Sequence, residues 1–364
     1  MRCIFLFRRN RTVQLQDWQK KLGPADFLYG FPFINSDHFK LDFVEGDDDS
    51  KNWIRYLCYP LETAISRVVE IGFSIHIVLI NWRRIQNADV IISTVDTCGL
   101  PIAFFKWLKL ISKPVLYISQ GLAHRLSDCK RHSNFGKLFR YLYAMFFNSL
   151  ERVIVLGDGS VSSVVRELEV SSDKIFVLQF GVDDQFWVPD YDNGNDNYIF
   201  SIGTDAARDY DTLINVIGDY PLKIVSRHHF PQNLIARNID ISHQHTFLEL
   251  KTLYQRSRFV VIPLHDVDQP SGQSAALQAM ACGRPVIISQ TKGLWDPEHM
   301  IHRETCYLVE SGNEDDLRKT IDYVYDHPLE AEVVGRNGRA LVENRYSARL
   351  LANDLQRHIL EIYK

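Results

Sequence analysis

Short apolar runs alternate with longer helical patterns along all 364 residues, and this alternation restricts the fold more than any other feature. It is typical of a parallel sheet flanked by helices, because each buried strand is followed by a crossover helix. Five runs in the first half predict buried strands: Cys3–Phe7, Ile75–Ile80, Val90–Ser93, Val115–Ser119 and Val153–Leu156. Three segments there predict helices: Ile102–Leu110, Lys137–Leu150 and Ser160–Leu168.

The second half repeats the alternation. Four runs predict strands: Tyr198–Ile202, Leu222–Val225, Phe259–Pro263 and Val286–Ser289. Five segments predict helices: Thr212–Ile217, Phe247–Tyr254, Ala275–Cys282, Asp315–Tyr325 and Ala348–Tyr363. Between the halves, the stretch LQFGVDDQFWVPDYDNGNDN is rich in Gly, Pro, Asn and Asp and lacks sustained periodicity, which indicates a linker.

The length and this linker predict two Rossmann-like α/β domains. We place the N-terminal domain at 1–180, the linker at 181–196 and the C-terminal domain at 197–345. A closing helix over 346–364 can pack back on the N-terminal domain. Because ligands of open α/β sheets bind beyond the carboxyl ends of the strands, we expect the active site in a cleft between the two domains.

Composition places the chain among globular proteins, with 46% hydrophobic and 24% charged residues and a net charge of −4. The six cysteines form no CxxC pair, which argues against a disulfide framework or a structural zinc site and fits a reducing cytoplasm. The N-terminal apolar run stops at Arg8, too soon for a signal-peptide core, and no stretch is long enough to span a membrane. We therefore expect a cytoplasmic protein.

Residues 101–150 concentrate positive charge, with eight basic side chains against Asp128 alone, a net charge of +7. Aromatic residues are interleaved with them. This combination can dock on an anionic membrane surface, which predicts peripheral association with the inner membrane face. Alternatively, the aromatic side chains pack in the core and the charges form a solvated face. No recognisable module for nucleic acid accompanies the charge, so nucleic acid is not an expected partner.

The stretch that says most about function is residues 259–289, FVVIPLHDVDQPSGQSAALQAMACGRPVIIS, because it could bind a phosphate group. Its pattern predicts a strand, a polar loop, a helix, a tight turn and a second strand. Unpaired N–H groups and a partial positive charge at a helix N-terminus favour phosphate binding. Gly272 allows close approach of a diphosphate, and the hydroxyls of Ser271 and Ser274 can add donors. The alternative is that this loop is only a helix cap between two core elements.

The run from Leu277 to Ile287, LQAMACGRPVI, closely resembles the signature of the "group 1" family of retaining glycosyltransferases with the GT-B fold. Three further segments resemble the same family. They are Phe180–Asp183 in the linker, Ile202–Gly203 with the following Arg208 and Asp211–Ile214, and Glu304–Val309 near the end. The resemblance implies two Rossmann-like domains facing across a cleft. It also implies transfer of a hexose from a nucleotide-diphosphate donor to an acceptor hydroxyl, with retention. The acceptor would be a saccharide, a lipid or a lipid-linked saccharide.

The resemblance also implies roles for individual residues. Arg208 would stabilise the leaving diphosphate, and Gln120 or His124 would contact the transferred sugar. Donor-binding roles fall on Gly203, Thr204, Arg227, Ser271, Gly272, Gln273, Ser274 and Gln278. Two glutamates of the family pattern fall here on Pro270 and Gln278, and the amide of Gln278 can still accept a ribose hydroxyl. The donor would be a UDP-sugar, with a GDP-sugar as the alternative, and no cofactor or metal would be required.

Other interpretations stay open at this point. Asp96 is the best-placed carboxylate for a general base if the reaction inverts. Asp266 or Asp268 could replace the missing glutamate or bind a divalent cation. Pro270 and Gln278 would also fit a binding or regulatory subunit that has lost turnover. A nucleotide-sugar epimerase could use the same architecture.

Overall fold

The computed structural model describes residues 1–46, 53–132, 134–230 and 238–363, and the side chains at 68–69 and 128–136 fall outside the description. The chain divides into two compact units. Unit 1 comprises Met1–Gln16, Phe27–Leu178 and Leu351–Lys364, and unit 2 comprises Asp17–Asp26 and Gln179–Leu350. The prediction assigned residues 17–26 to the N-terminal domain, whereas the structure groups them with unit 2. The predicted domain boundaries stay a proposal.

Unit 1 is built on a six-stranded sheet in which every pair is parallel. Its strands are β1 (Arg2–Phe7), β2 (Lys40–Glu45), β3 (Val90–Ser93), β4 (Val115–Ile118), β5 (Arg152–Val155) and β6 (Ile175–Val177). They lie in the order β2-β1-β3-β4-β5-β6. The central strands β3 and β4 are buried along their whole length, which explains their unbroken apolar sequences.

The described residues of the first half form eight α-helices around or beside this sheet. They are α1 (Arg11–Gln19), α2 (Trp53–Val69), α3 (Ile75–Ile80), α4 (Trp82–Gln86), α5 (Asp96–Trp107), α6 (Leu122–His132), α7 (Asn134–Asn148) and α8 (Val161–Leu168). From Asp17 onward, α1 belongs to unit 2. The prediction of a strand at Ile75–Ile80 is wrong. A short, continuous apolar run suits a buried helical turn equally well, and here buried His76 pairs with Glu62 on α2 at 2.8 Å.

Unit 2 repeats the architecture with a second parallel six-stranded sheet, in the order β12-β11-β10-β7-β8-β9. The strands are β7 (Ile199–Ile202), β8 (Leu222–Val225), β9 (Ile239–Ser242), β10 (Phe259–Ile262), β11 (Val286–Gln290) and β12 (Tyr307–Glu310). The helices are α9 (Tyr210–Val216), α10 (Phe247–Arg256), α11 (Gln273–Ala281), α12 (Glu314–Asp326) and α13 (Pro328–Arg345). The predicted fold class, α/β with two Rossmann-like sheets, is confirmed.

The last helix, α14 (Ala348–Tyr363), belongs to unit 1 from Leu351 onward. There a side-chain ion pair joins it to β5, since the Arg152 guanidinium donates to the Glu361 carboxylate at 2.7 Å. Arg152 also stacks on Phe176 of β6 at 3.9 Å from the ring centroid.

Most aromatic side chains of the basic segment 101–150 pack in the core. Phe105, Tyr143, Phe146 and Phe147 are buried, whereas Tyr141 is 62% exposed. The side chains of Asp128, Lys130 and Arg131 lie outside the described residues. For these four buried rings, the alternative of packing in the core is correct, and the alternative of contact with a membrane surface is not. Within the described residues, no helix has the length and apolar character needed to cross a membrane.

Candidate functional site

The carboxyl edge of the unit 2 sheet has a topological switch point. From β7 the chain moves outward through β8 and β9, then returns to the other side of β7 as β10. In doubly wound sheets, the crevice that binds ligands lies at such a switch point, here beside the loops after β7 and β10. The two loops meet at the crevice, since His265 N–H donates to the carbonyl of Ala207 at 2.9 Å and Asp209 N–H donates to that of Pro263 at 3.1 Å.

Arg208 lies at this crevice with only 5% of its surface exposed. Its Nε and Nη1 atoms are buried and have no hydrogen-bond partner in the part of the chain that the structure describes. The only ion pair recorded for it there, to the half-exposed carboxylate of Asp205 at 3.4 Å, lacks hydrogen-bond geometry. A buried cation with unused donors is costly, so this arrangement favours the binding of an anion.

Two glycines make room for the guanidinium. A Cβ atom on Gly203 would lie 1.9 Å from Arg208 Nε, and one on Gly272 would lie 2.8 Å from Nη1. Both glycines have positive φ, +146° and +75°, so any side chain there would also strain the backbone. Gly272 is the N-cap of α11, which places the guanidinium beside the partial positive charge of a helix N-terminus. The structure thus brings together Gly203, Arg208 and Gly272.

The predicted donor-binding residues differ in their hydrogen bonds and in their burial. The carbonyl of Gly203 is fixed by the hydroxyls of Tyr210 and Ser226, at 2.9 and 2.7 Å. Ser271 and Gln273 are buried at the start of α11. Ser274 is half-buried, and Thr204 and Arg227 are exposed on the loops after β7 and β8.

Gln278 occupies an unexpected environment, since both ends of its amide are bonded within unit 2. Its Oε1 accepts from the hydroxyl of Tyr254 at 3.1 Å, and its Nε2 donates to Oδ2 of Asp26 at 2.8 Å. Asp26 also accepts from Trp187 Nε1 at 2.9 Å and from the backbone N–H of Asp183 at 2.6 Å. A glutamate at position 278 would place a second carboxylate against Asp26, which gives a physical reason for glutamine there.

Asp26 is the residue that sequence reasoning missed. Burial raises its pKa to about 7, although the three hydrogen bonds that it accepts lower it. No local pattern marks this residue, because its partners follow it by more than 150 positions. Its hydrogen bonds connect the segment Asp17–Asp26 to the rest of unit 2.

Asp266, one of the two aspartates considered for a cation, is already paired within unit 2. Asp266 is bound by Lys292, whose Nζ lies 2.6 Å from Oδ2 and whose backbone N–H donates to Oδ1 at 2.9 Å. This pairing lowers the pKa of Asp266. In the described ranges, no group of three or more His, Cys, Asp or Glu side chains could hold a metal ion.

Unit 1 has its own switch point between β1 and β3. Gln120, after β4, donates to the hydroxyl of Tyr29 at 2.5 Å and to the carbonyl of Thr94. Asp96, at the start of α5, accepts from the Tyr117 hydroxyl at 2.5 Å, and burial raises its pKa to about 6. His124 lies half-buried in the first turn of α6.

Part of unit 2 matches a known protein family in sequence. Residues 204–327 match the sequence model of the family described as "Glycosyl transferases group 1". This segment contains Arg208, Gly272 and the whole of α11. The prediction of a group 1 glycosyltransferase domain is therefore confirmed for that part of the chain.

Curated relatives are glycosyltransferases of low identity. The D-rhamnosyltransferase WbpZ of Pseudomonas aeruginosa is 25% identical over 242 residues, 61% of this chain and 62% of the relative. The uncharacterised glycosyltransferase MJ1178 of Methanocaldococcus jannaschii is 23% identical over 217 residues, 55% of this chain and 57% of the relative. The chain thus spans less than two thirds of the length of these relatives.

Solved structures match over almost the whole chain. Sucrose-phosphate synthase from Thermosynechococcus elongatus superposes with a TM-score of 0.69 and 15% identity, covering 100% of this chain and 99% of that one. Alr3699/HepE of Anabaena, in complex with UDP-glucose, gives 0.70 and 12%, covering 99% and 100%. At such identities the likeness shows the fold alone, which is that of the GT-B glycosyltransferases.

Proposed function

We propose that the protein is a hexosyltransferase that moves a sugar from a nucleotide-diphosphate donor to an acceptor hydroxyl, and that unit 2 binds the diphosphate. One observation carries the proposal. The Arg208 guanidinium is buried between Gly203 and Gly272 with two unused donors, at the N-terminus of α11. A diphosphate at this position would accept from the guanidinium and from the N–H groups of the first helical turn.

The same contacts would assist the reaction. Negative charge grows on the diphosphate as its bond to the sugar breaks, and a fixed guanidinium in a poorly solvated crevice stabilises that charge. Its burial beside the two glycines restricts its position before the donor binds, which limits the reorganisation needed as the charge develops. We therefore assign Arg208 the role of stabilising the leaving group.

The donor is proposed to be a UDP-sugar. Support comes from the structural neighbour solved in complex with UDP-glucose, which shares the fold. Arg227, exposed after β8, is proposed to contact the base, and Thr204 and Ser274 are proposed to contact the phosphates. A GDP-sugar is the alternative. The two bonds of the Gln278 amide argue that its main role is to hold Asp26, with ribose binding secondary.

Retention of configuration is proposed on the resemblance to the group 1 family. The acceptor hydroxyl would attack on the face from which the diphosphate leaves, and a donor phosphate oxygen would take its proton. Gln120 and His124 of unit 1 are proposed to contact the transferred sugar. Asp96 is the candidate general base for an inverting reaction. Its carboxylate already accepts a hydrogen bond from the Tyr117 hydroxyl, so this bond would have to break, or the carboxylate would have to accept the acceptor's proton beside it.

The acceptor is proposed to be a saccharide, a lipid or a lipid-linked saccharide, with an anionic membrane as a further partner. The support is the charge of +7 over residues 101–150. Not all of this charge is available, since Lys106 pairs with Glu151 at 2.8 Å and Arg140 with Glu167 at 3.4 Å.

Thermal unfolding of the purified protein with UDP-, GDP- and ADP-sugars tests the proposal. A donor at 100 times its Kd stabilises the fold by about 2.7 kcal/mol, which raises the midpoint measurably. Hydrolysis or transfer of the same donor then separates an enzyme from a binding subunit without turnover. The proposal fails if no nucleotide sugar shifts the midpoint and none is consumed.

A further inference from the structure

Helix α2 (Trp53–Val69) presents an apolar face to solvent, the reverse of an ordinary surface helix. Trp53, Tyr56 and Leu57 are 70, 70 and 71% exposed, and Leu61 is 54% exposed. Tyr56, Leu57 and Leu61 follow Trp53 by three, four and eight positions, so the four residues line one side of the helix. We call them the α2 face. The opposite side carries buried Cys58 and Glu62.

A helix that packs against α2 also carries exposed apolar side chains. Within unit 1, α2 packs against α6 and α7. On α7, Leu138 and Tyr141 are 50 and 62% exposed. Exposed apolar surface of this extent on two adjacent helices is characteristic of an interaction site.

The exposed charged side chains that the structure describes on α2, α6 and α7 are positive. Arg67 follows Trp53 by 14 residues, close to four helical turns, and is exposed on the same side of α2. Arg125 on α6 and Lys137 on α7 are also exposed. Of the carboxylates on these three helices that the structure describes, Glu62 is buried against His76. The described side chains of the three helices therefore present exposed cations and no exposed carboxylate.

We infer that the α2 face docks on an anionic lipid bilayer. Trp and Tyr place an apolar ring and a polar edge at the membrane–water interface, and Leu57 and Leu61 can enter the acyl boundary. The cations of the three helices would bind lipid phosphates at the same time. This adds residues 53–61 to the membrane contact, beside Arg125 and Lys137 of the basic segment 101–150. The acidic run Asp47–Asp49 precedes α2 in the sequence and lies outside the described residues.

This inference rests on the membrane partner of the proposed function. Vesicle flotation of the chain tests it and requires neither donor nor turnover, so a failure to bind vesicles would leave the proposed donor site and sugar transfer untouched. We expect the protein to float with phosphatidylcholine vesicles that contain phosphatidylglycerol and to float less with phosphatidylcholine alone. Leu57→Glu should lower the partition coefficient at least about tenfold, since an apolar side chain is replaced by a charge. Leu329→Glu is the matched control, because Leu329 is 77% exposed on α13 in unit 2.

A second measurement does not depend on any variant. Brominated acyl chains should quench the fluorescence of the wild-type protein, and Trp53→Phe should remove most of that quenching. The inference is overturned if Leu57→Glu and the wild type float equally. A second result would also overturn it: the wild type does not bind vesicles but forms a dimer, and Leu57→Glu dissociates that dimer. The α2 face would then bind a second copy of the chain.

Discussion

Replacing Gln278 by glutamate would restore the residue type of the family pattern, and we predict that it destabilises unit 2 in a pH-dependent way. Nε2 of Gln278 lies 2.8 Å from Oδ2 of Asp26. In Gln278→Glu that donor becomes a carboxylate oxygen. Two ionised carboxylates at this separation repel by about 6 kcal/mol at an effective dielectric constant of about 20.

The variant can avoid this repulsion by keeping one proton on the pair. Burial already raises the pKa of Asp26 to about 7, and a second carboxylate raises the pKa of the pair further. In the unfolded chain both groups titrate near pH 4. Wild-type stability therefore falls as pH rises from about 4 to about 7, where Asp26 ionises. The variant continues to lose about 1.4 kcal/mol per pH unit above that point.

The difference in unfolding free energy between wild type and Gln278→Glu should thus widen by roughly 3 kcal/mol between about pH 7 and about pH 9. Urea unfolding across this range measures it, with hydrogen exchange at the Asp183 amide assigning the transition to unit 2. Gln185→Glu is the control, because exposed Gln185 donates to Asp184 at 3.2 Å and the same charge is added in solvent. A difference that stays constant with pH would refute the reasoning.

Two further substitutions test single contacts. Gly203→Ala should displace Arg208 and weaken donor binding about tenfold or more, because the added Cβ would lie 1.9 Å from Nε, and isothermal titration with UDP measures this. A variant that binds UDP as the wild type does would contradict it. Thr246→Ala should destabilise unit 2 by about 1 kcal/mol in urea unfolding, since Thr246 and Glu249 form a capping box at the start of α10. No change in the urea midpoint would argue against that box.

The central strands and the donor loop were predictable from the sequence because their signals are local. β3 and β8 have the predicted bounds, since buried strands of a parallel sheet are mostly apolar, and β8 departs from this only at Lys223. Gly272 before α11 is likewise a local signal for a helix start. The edge strand β2 was missed because the strand predictions rested on continuous apolar runs, whereas Leu41 and Phe43 of β2 alternate with Lys40 and Asp42.

Long-range contacts account for the rest. Asp26 and Gln278 are 252 positions apart, so no periodicity links them. The burial of Arg208 depends on the loop after β10 lying against the loop after β7, which sequence spacing does not determine. Helix α13 was missed because Gly335 and Gly338 interrupt its pattern. The structure shows that the two glycines allow close packing against the backbone of Gly283 and Thr305.

The proposal that Arg208 binds a donor diphosphate is tested most directly by titrating UDP into wild type, Arg208→Ala and Arg336→Ala. Arg336 is an exposed arginine of unit 2, so its variant loses the same charge away from the crevice. We predict that Arg208→Ala binds UDP about 10- to 100-fold more weakly, as expected for a lost charged hydrogen bond. We also predict that Arg208→Ala unfolds no earlier than wild type without ligand, because a buried cation with unused donors has been removed. Equal UDP affinity in all three proteins would contradict the account.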